Sequence, residues 1–218
     1  MAMLNKMKSI LELALCMEYY KNYAAASGAV HNISCHEDAI ENLLLLQGLS
    51  DKYRDKRITV KQRDEWIADP YSCDLPEGTY IAQPCGTHNS PDFIIKLNGR
   101  AYFIECKSSK QAYPTYNSGL PKDSYIYIFC SKKYDATTIY FGKDIVSRQQ
   151  RAAIDQHLPR LDALVAELNS ILVDCDIHNR GLALYPRAMW NQKGGGCYTD
   201  YFSHPSRVEC EQGVLSAV

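Results

Sequence analysis

The 218-residue sequence has no run approaching the ~18 consecutive apolar side chains that a membrane-crossing helix requires, so no span is expected. The apolar stretch SILELALCM (9–17) is short, broken by Glu12 and followed by no small-residue cleavage pattern, which reads as a mature soluble start. There is no GxxxxGK[ST] loop to cradle nucleotide phosphates and no GxSxG elbow to present a serine nucleophile. A nucleotide cofactor and serine chemistry are therefore not expected. The nine cysteines are odd in number and include no CxxC pair, which suits buried thiols in a reducing cytoplasm better than a disulfide framework. The groupings His31, Cys35 and His36, Cys85 with His88, and Cys175 with His178 lack the paired spacing of a structural zinc site. Internal repeats and low-complexity segments are absent as well. The length suits one domain over 1–218: a helical N-terminal part (1–80), a core (81–190) and a C-terminal loop and tail (191–218).

Nor does either charge dominate, the net being −1. That balance conceals a gradient. Between Asp92 and Arg151 ten Lys and Arg stand against five Asp and Glu, a local +5 with −6 in the remainder. A basic middle fits a phosphate-backbone partner.

What is present lies at its start, in SPDFIIKLNGRAYFIECKSSK (90–110). Phe93 to Leu97 is β-branched and aromatic, and favours an extended chain. Asn98-Gly99 suits the two left-handed positions of a type I′ turn. Arg100 to Lys107 then extends again. Side chains alternate along a strand, so Glu105 and Lys107 share one face and Cys106 takes the other. Asp92 and Glu105 lie equally far from the turn, so the hairpin brings Asp92 to Glu105 and Lys107 at its open end. Two carboxylates this close repel and raise a pKa unless a cation lies between them. Mg²⁺ is held by one or two carboxylates, water and phosphate oxygens, and it lowers the pKa of bound water. With a lysine alongside, this is equipment for phosphodiester hydrolysis.

Pro91-Asp92, twelve residues (93–104), then Glu105-Cys106-Lys107 resembles the PD-(D/E)XK nuclease signature. Together with Gln83-Pro84-Cys85-Gly86-Thr87 and the hairpin, it resembles the type II restriction endonucleases of that superfamily, over residues 83–130. The resemblance implies an α/β fold with a restriction-endonuclease-like αβββαβ core, a central mixed sheet flanked by helices. It implies Mg²⁺-dependent, site-specific cleavage of double-stranded DNA in the cytoplasm, with Mn²⁺ substituting and Ca²⁺ inhibiting. Asp92 and Glu105 would hold the metal with the Cys106 carbonyl, and Lys107 would position or help deprotonate the attacking water. Such proteins often add a glutamate from the preceding helix; Glu41 is the first choice and Glu37 the second, against the plainer reading that both are solvated or cap the helix. A palindromic target would suit a homodimer. Repair and junction-resolving nucleases share the same site, and a non-catalytic DNA-binding protein could use the same fold.

Elsewhere, apolar spacings of three and four predict a helix over 3–26 and a second from Ser34 or His36 to Leu46. A short strand is expected at 57–61, and strands at 124–130 and 137–141. A helix over 144–173 is expected to kink or split at Pro159. A last strand is expected at 181–190, before a glycine loop at 194–196. Polar side chains able to reach groove edges are Gln83, His88 and Asn89 beside the site, Lys110 and Asn117 after it, and Arg187, Asn191, Gln192 and Lys193 late in the chain.

Overall fold

The computed structural model describes residues 5–21, 33–87, 89–117, 119–186, 189–192 and 201–218. Helix α1 (Lys6–Leu15) is capped by the Asn5 side chain, which accepts from the Lys8 amide at 3.3 Å. Met7, Ile10, Leu11 and Ala14 form its buried face. The helix expected over 3–26 is broken after Leu15: Met17 and Tyr19 are buried irregular chain, helix resumes at Tyr20 and Lys21, and residues 3, 4 and 22–26 lie outside the described residues. Helix α2 (His36–Leu46) begins where Asp38 turns back to accept from the amides of Ser34 at 2.8 Å and Cys35 at 3.1 Å. It buries Ala39, Ile40, Leu43 and Leu44. Helix α3 (Val60–Ala68) replaces the strand expected at 57–61. The β-branched residues that suggested extension fall at its cap, where the Thr59 hydroxyl accepts from the Gln62 amide at 3.1 Å.

The strands are β1 (Thr79–Ala82), β2 (Phe93–Leu97), β3 (Arg100–Ser109), β4 (Thr115–Tyr116), β5 (Ile126–Ser131) and β6 (Ala136–Phe141). Five of them form a mixed sheet in the order β1-β2-β3-β5-β6, with β3 and β5 parallel and the other neighbours antiparallel. The β2–β3 hairpin follows the expected register, pairing Leu97 with Arg100 and Phe93 with Ile104. Its turn residues Asn98 and Gly99 have φ of 53° and 74°, as a type I′ turn requires. The Glu77 carboxylate secures that turn, accepting from the Gly99 amide at 3.1 Å and from the Asn98 amide as well.

Strand alternation sorts the core into two layers. Phe93, Ile95, Ile104, Cys106 and Ile128 face α1 and α2 across an aliphatic layer. Ile94, Phe103, Tyr125, Tyr127, Phe129 and Tyr140 form an aromatic layer on the other face with Trp66 of α3 and Tyr201. Tyr127 and Tyr140 stack there with ring centroids 5.5 Å apart.

After the sheet come α4 (Gly142–Ile145) and α5 (Arg148–Asp174). Helix α5 runs unbroken through Pro159, so the expected kink or split is not a split. A proline removes one helical hydrogen bond, and none of the 27 residues of α5 is buried, so water can reach the carbonyl left over. The strand expected at 181–190 is reduced to β7 (Trp190–Asn191), paired with β4, while 181–186 run as exposed irregular chain. There the Asn169 side chain holds the Leu184 backbone, donating to its carbonyl at 2.9 Å and accepting from its amide at 2.7 Å. The glycine loop at 194–196 lies outside the described residues. The C-terminal segment is not all loop and tail: helix α6 (Arg207–Ala217) buries Val214 in the aliphatic layer, and the Thr138 hydroxyl donates to Glu211 at 2.6 Å. No helix among the described residues is long and apolar enough to cross a membrane.

Candidate active site

Phe93 and Ile104 are the last ladder pair of the hairpin, so Asp92 and Glu105 stand opposite one another one step beyond it. Glu105 and Lys107, alternate residues on β3, point to the same side, and Lys107 Nζ donates to Glu105 Oε1 at 2.6 Å. Glu105 is 3% exposed, and its second oxygen, Oε2, is buried with no hydrogen-bond partner. Asp92 is tied at both oxygens: Oδ2 accepts from the Cys106 amide at 2.7 Å, and Oδ1 from Gln83 Nε2 at 3.1 Å. Gln83 reaches it from a left-handed backbone position, φ 50°, just after β1.

These groups line a cleft of about 440 Å³ together with Glu37, Asn89, Thr115 and Asn117. Burial, and then the facing Glu105 carboxylate, push the Asp92 carboxyl up to about 8, against the pull of the Cys106 amide. Burial also raises Glu105, against the opposing pull of Lys107. Glu37 adds its negative charge to both carboxylates. Three carboxylates and one lysine leave the site short of positive charge, and Glu105 Oε2 is the oxygen left without a partner.

The glutamate ranked first on α2 is elsewhere. Glu41 does not line this cleft. Its carboxylate is clamped by Arg54, through Nε to Oε1 and through Nη2 to Oε2 at 2.9 Å, and Oε1 also accepts from the Tyr80 hydroxyl at 2.9 Å. With both oxygens so engaged it serves the fold. Glu37, one turn earlier, reaches the cleft instead. The Cys106 main chain lines the cleft while its thiol is buried in the aliphatic layer. Among the described residues no three His, Cys, Asp or Glu side chains converge as a metal cluster, so a cation here would rely on two carboxylates, a main-chain oxygen and water. His36 is spent on structure: its Nε2 meets the Ile128 carbonyl at 3.1 Å, and burial lowers the imidazole to about 4.

Of the groove-reading candidates, Gln83, Asn89 and Asn117 line the cleft, with Gln83 engaged by Asp92. Lys110 lies exposed beyond the end of β3 and off the cleft wall. Asn191 and Gln192 line a separate cavity of about 560 Å³ with Trp190 and Ile154. His88, Arg187 and Lys193 lie outside the described residues. Thr115 and Met189 also line the candidate cleft, and no local signal in the sequence marked them. Comparison with known protein families, curated protein sequences and solved structures finds no match to this chain.

Proposed function

We propose that the chain is a metal-dependent nuclease of the PD-(D/E)XK kind, hydrolysing DNA phosphodiesters at a short duplex sequence as type II restriction endonucleases do. One observation carries the reading: Asp92, Glu105 and Lys107 converge on one polar cleft, with Glu105 Oε2 buried and unpartnered. Asp92, Glu105 and the Cys106 carbonyl would hold Mg²⁺, with Glu37 at the edge in place of Glu41. The ion would supply Lewis acidity and a more acidic water at neutral pH. Lys107 would orient the attacking water and stabilise the charge that develops on the phosphate. Gln83 and the Cys106 amide fix the rotamer of Asp92, so the donor set is positioned in advance.

The antiparallel run β1-β2-β3 followed by a parallel β5 agrees with the αβββαβ core. The departure is between β3 and β5, where residues 110–125 hold β4 and no helix among the described residues, and β6 is an addition. The basic middle of the sequence supports a DNA partner.

A supercoiled plasmid incubated with the protein, with and without Mg²⁺, tests the reading. Discrete fragments that require the metal are expected, with Mn²⁺ substituting and Ca²⁺ supporting binding without cutting. An intact plasmid under all metals would leave a DNA-binding protein; a smear would leave a non-specific nuclease.

A further inference from the structure

Helix α5 carries Ile154, Leu158, Leu161, Val165, Leu168 and Leu172 at alternating steps of four and three. This is the 3.5-residue repeat of a coiled-coil seam, which selects another helix as its partner. In the single chain Leu161 and Leu168 are 58% and 41% exposed, while Leu158, Val165, Leu172 and Ile154, which also borders the cavity beside Trp190, are half-buried. Apolar area left in water at about 25 cal/mol per Å² favours any complementary surface that covers it.

The charges on α5 indicate which surface. Its first half carries Arg148 and Arg160 against Asp155, Arg151 being held by Asp123 of its own chain; its second half carries Asp162, Glu167 and Asp174 with no Lys or Arg. Two copies laid parallel would set like charge on like. Laid antiparallel, the basic half of each meets the acidic half of the other, and the helix dipoles oppose. A single antiparallel register also pairs the whole seam: Leu158 with Leu168, Leu161 with Val165, and Ile154 with Leu172 of the second copy. Each pair occurs twice about a two-fold axis level with Ala163, as an isologous contact requires. Pro159 falls next to the seam, on the side turned away from the partner, where a missing N–H does no harm.

We propose that α5 is a self-association helix, and that two copies of this chain pair through an antiparallel two-helix coiled coil built on this seam. The proposal is independent of the nuclease reading, because its test measures mass and distance, not cleavage.

Sedimentation velocity on the full chain should show a dimer at concentrations of about 1–100 μM, the range of a modest interface. Leu161→Glu places a charge at the centre of the seam and should weaken the dimer about a hundredfold or more, with the circular dichroism of the folded chain retained. Leu168→Lys should do the same and guards against an effect peculiar to one variant. A wild type that stays monomeric throughout that range, or a dimer that survives both substitutions, would overturn the proposal. Direction is read separately with spin labels on the exposed Cys175, with Cys16, Cys35, Cys85, Cys197 and Cys210 replaced by Ser. The antiparallel register sets the two labelled positions about 36 Å apart along the seam, from 1.5 Å per residue. A separation below about 20 Å would mean parallel pairing and would overturn the antiparallel arrangement.

Discussion

Lys107 lies 2.6 Å from one oxygen of Glu105 while the other oxygen of that carboxylate is buried without a partner. The two residues are brought together by strand alternation alone, and the lysine satisfies only half of what the glutamate requires. A cation on the remaining oxygen would free the ammonium to act on a substrate.

Replacing Lys107 by Ala should therefore cost the chemical step more than binding. The single-turnover cleavage rate should fall about a hundredfold or more, the scale of a lost charge-stabilising donor, with only a modest loss of DNA affinity. Lys107→Arg should not restore full activity, because a planar guanidinium fork does not reproduce a compact ammonium. Lys110, exposed beyond the strand, is the internal control and should affect binding at most. If Lys110→Ala loses the chemical step and Lys107→Ala keeps it, the role given to Lys107 is wrong.

Asp92 makes stability depend on pH. Its carboxyl is raised from 3.8 to about 8, so the ionised form is the unfavourable one in the metal-free fold. The penalty is absent below the unfolded value, grows as pH climbs above it, and is complete above the folded one. Between about pH 5 and 8.5 the Tm in EDTA should fall in wild type by more than in Asp92→Asn. Saturating Mg²⁺ should restore the wild type and leave the variant unchanged. Parallel Tm curves for the two proteins would remove Asp92 as the source.

Glu37 and Glu41 should separate by phenotype. Glu41→Gln loosens the Arg54 clamp and the Tyr80 bond, and should cost about 1–3 kcal/mol in urea unfolding, with cleavage per folded molecule retained. Glu37→Gln should leave stability near wild type and weaken Mg²⁺ binding severalfold in a calorimetric titration. The reverse pattern would return Glu41 to the metal.

Asp92, Glu105 and Lys107 were legible in the sequence because their placement is local. One turn and the two-residue period of a strand put them in one volume, and Asn98-Gly99 set the register. The choice between Glu37 and Glu41 was not legible, because it is made by Arg54 and Tyr80, 13 and 39 residues from Glu41. Thr115 and Met189 reach the cleft through long-range packing that no spacing reveals. Strand β1 is only four residues long, too short for a pattern to register. Helix α3 was misread because its capping residues carry β propensity, and α5 is not split because Pro159 meets solvent there rather than a neighbour.

The hairpin also sets an order of assembly. Strands β2 and β3 meet across a two-residue turn, whereas β5 reaches β3 only after residues 110–125 have closed a loop. Hairpins form in about 1–10 μs, and longer closures lose more chain entropy before any contact compensates. The two carboxylates can thus meet early, while still fully hydrated, and Glu105 is buried only when the rest of the sheet packs around it. Ile95→Val, in the hairpin, should mainly slow folding, and Ile128→Val, in β5, should mainly speed unfolding in a chevron analysis. Equal partitioning of both effects would mean that the strands dock together, and that the repulsion between Asp92 and Glu105 is met only as the sheet closes.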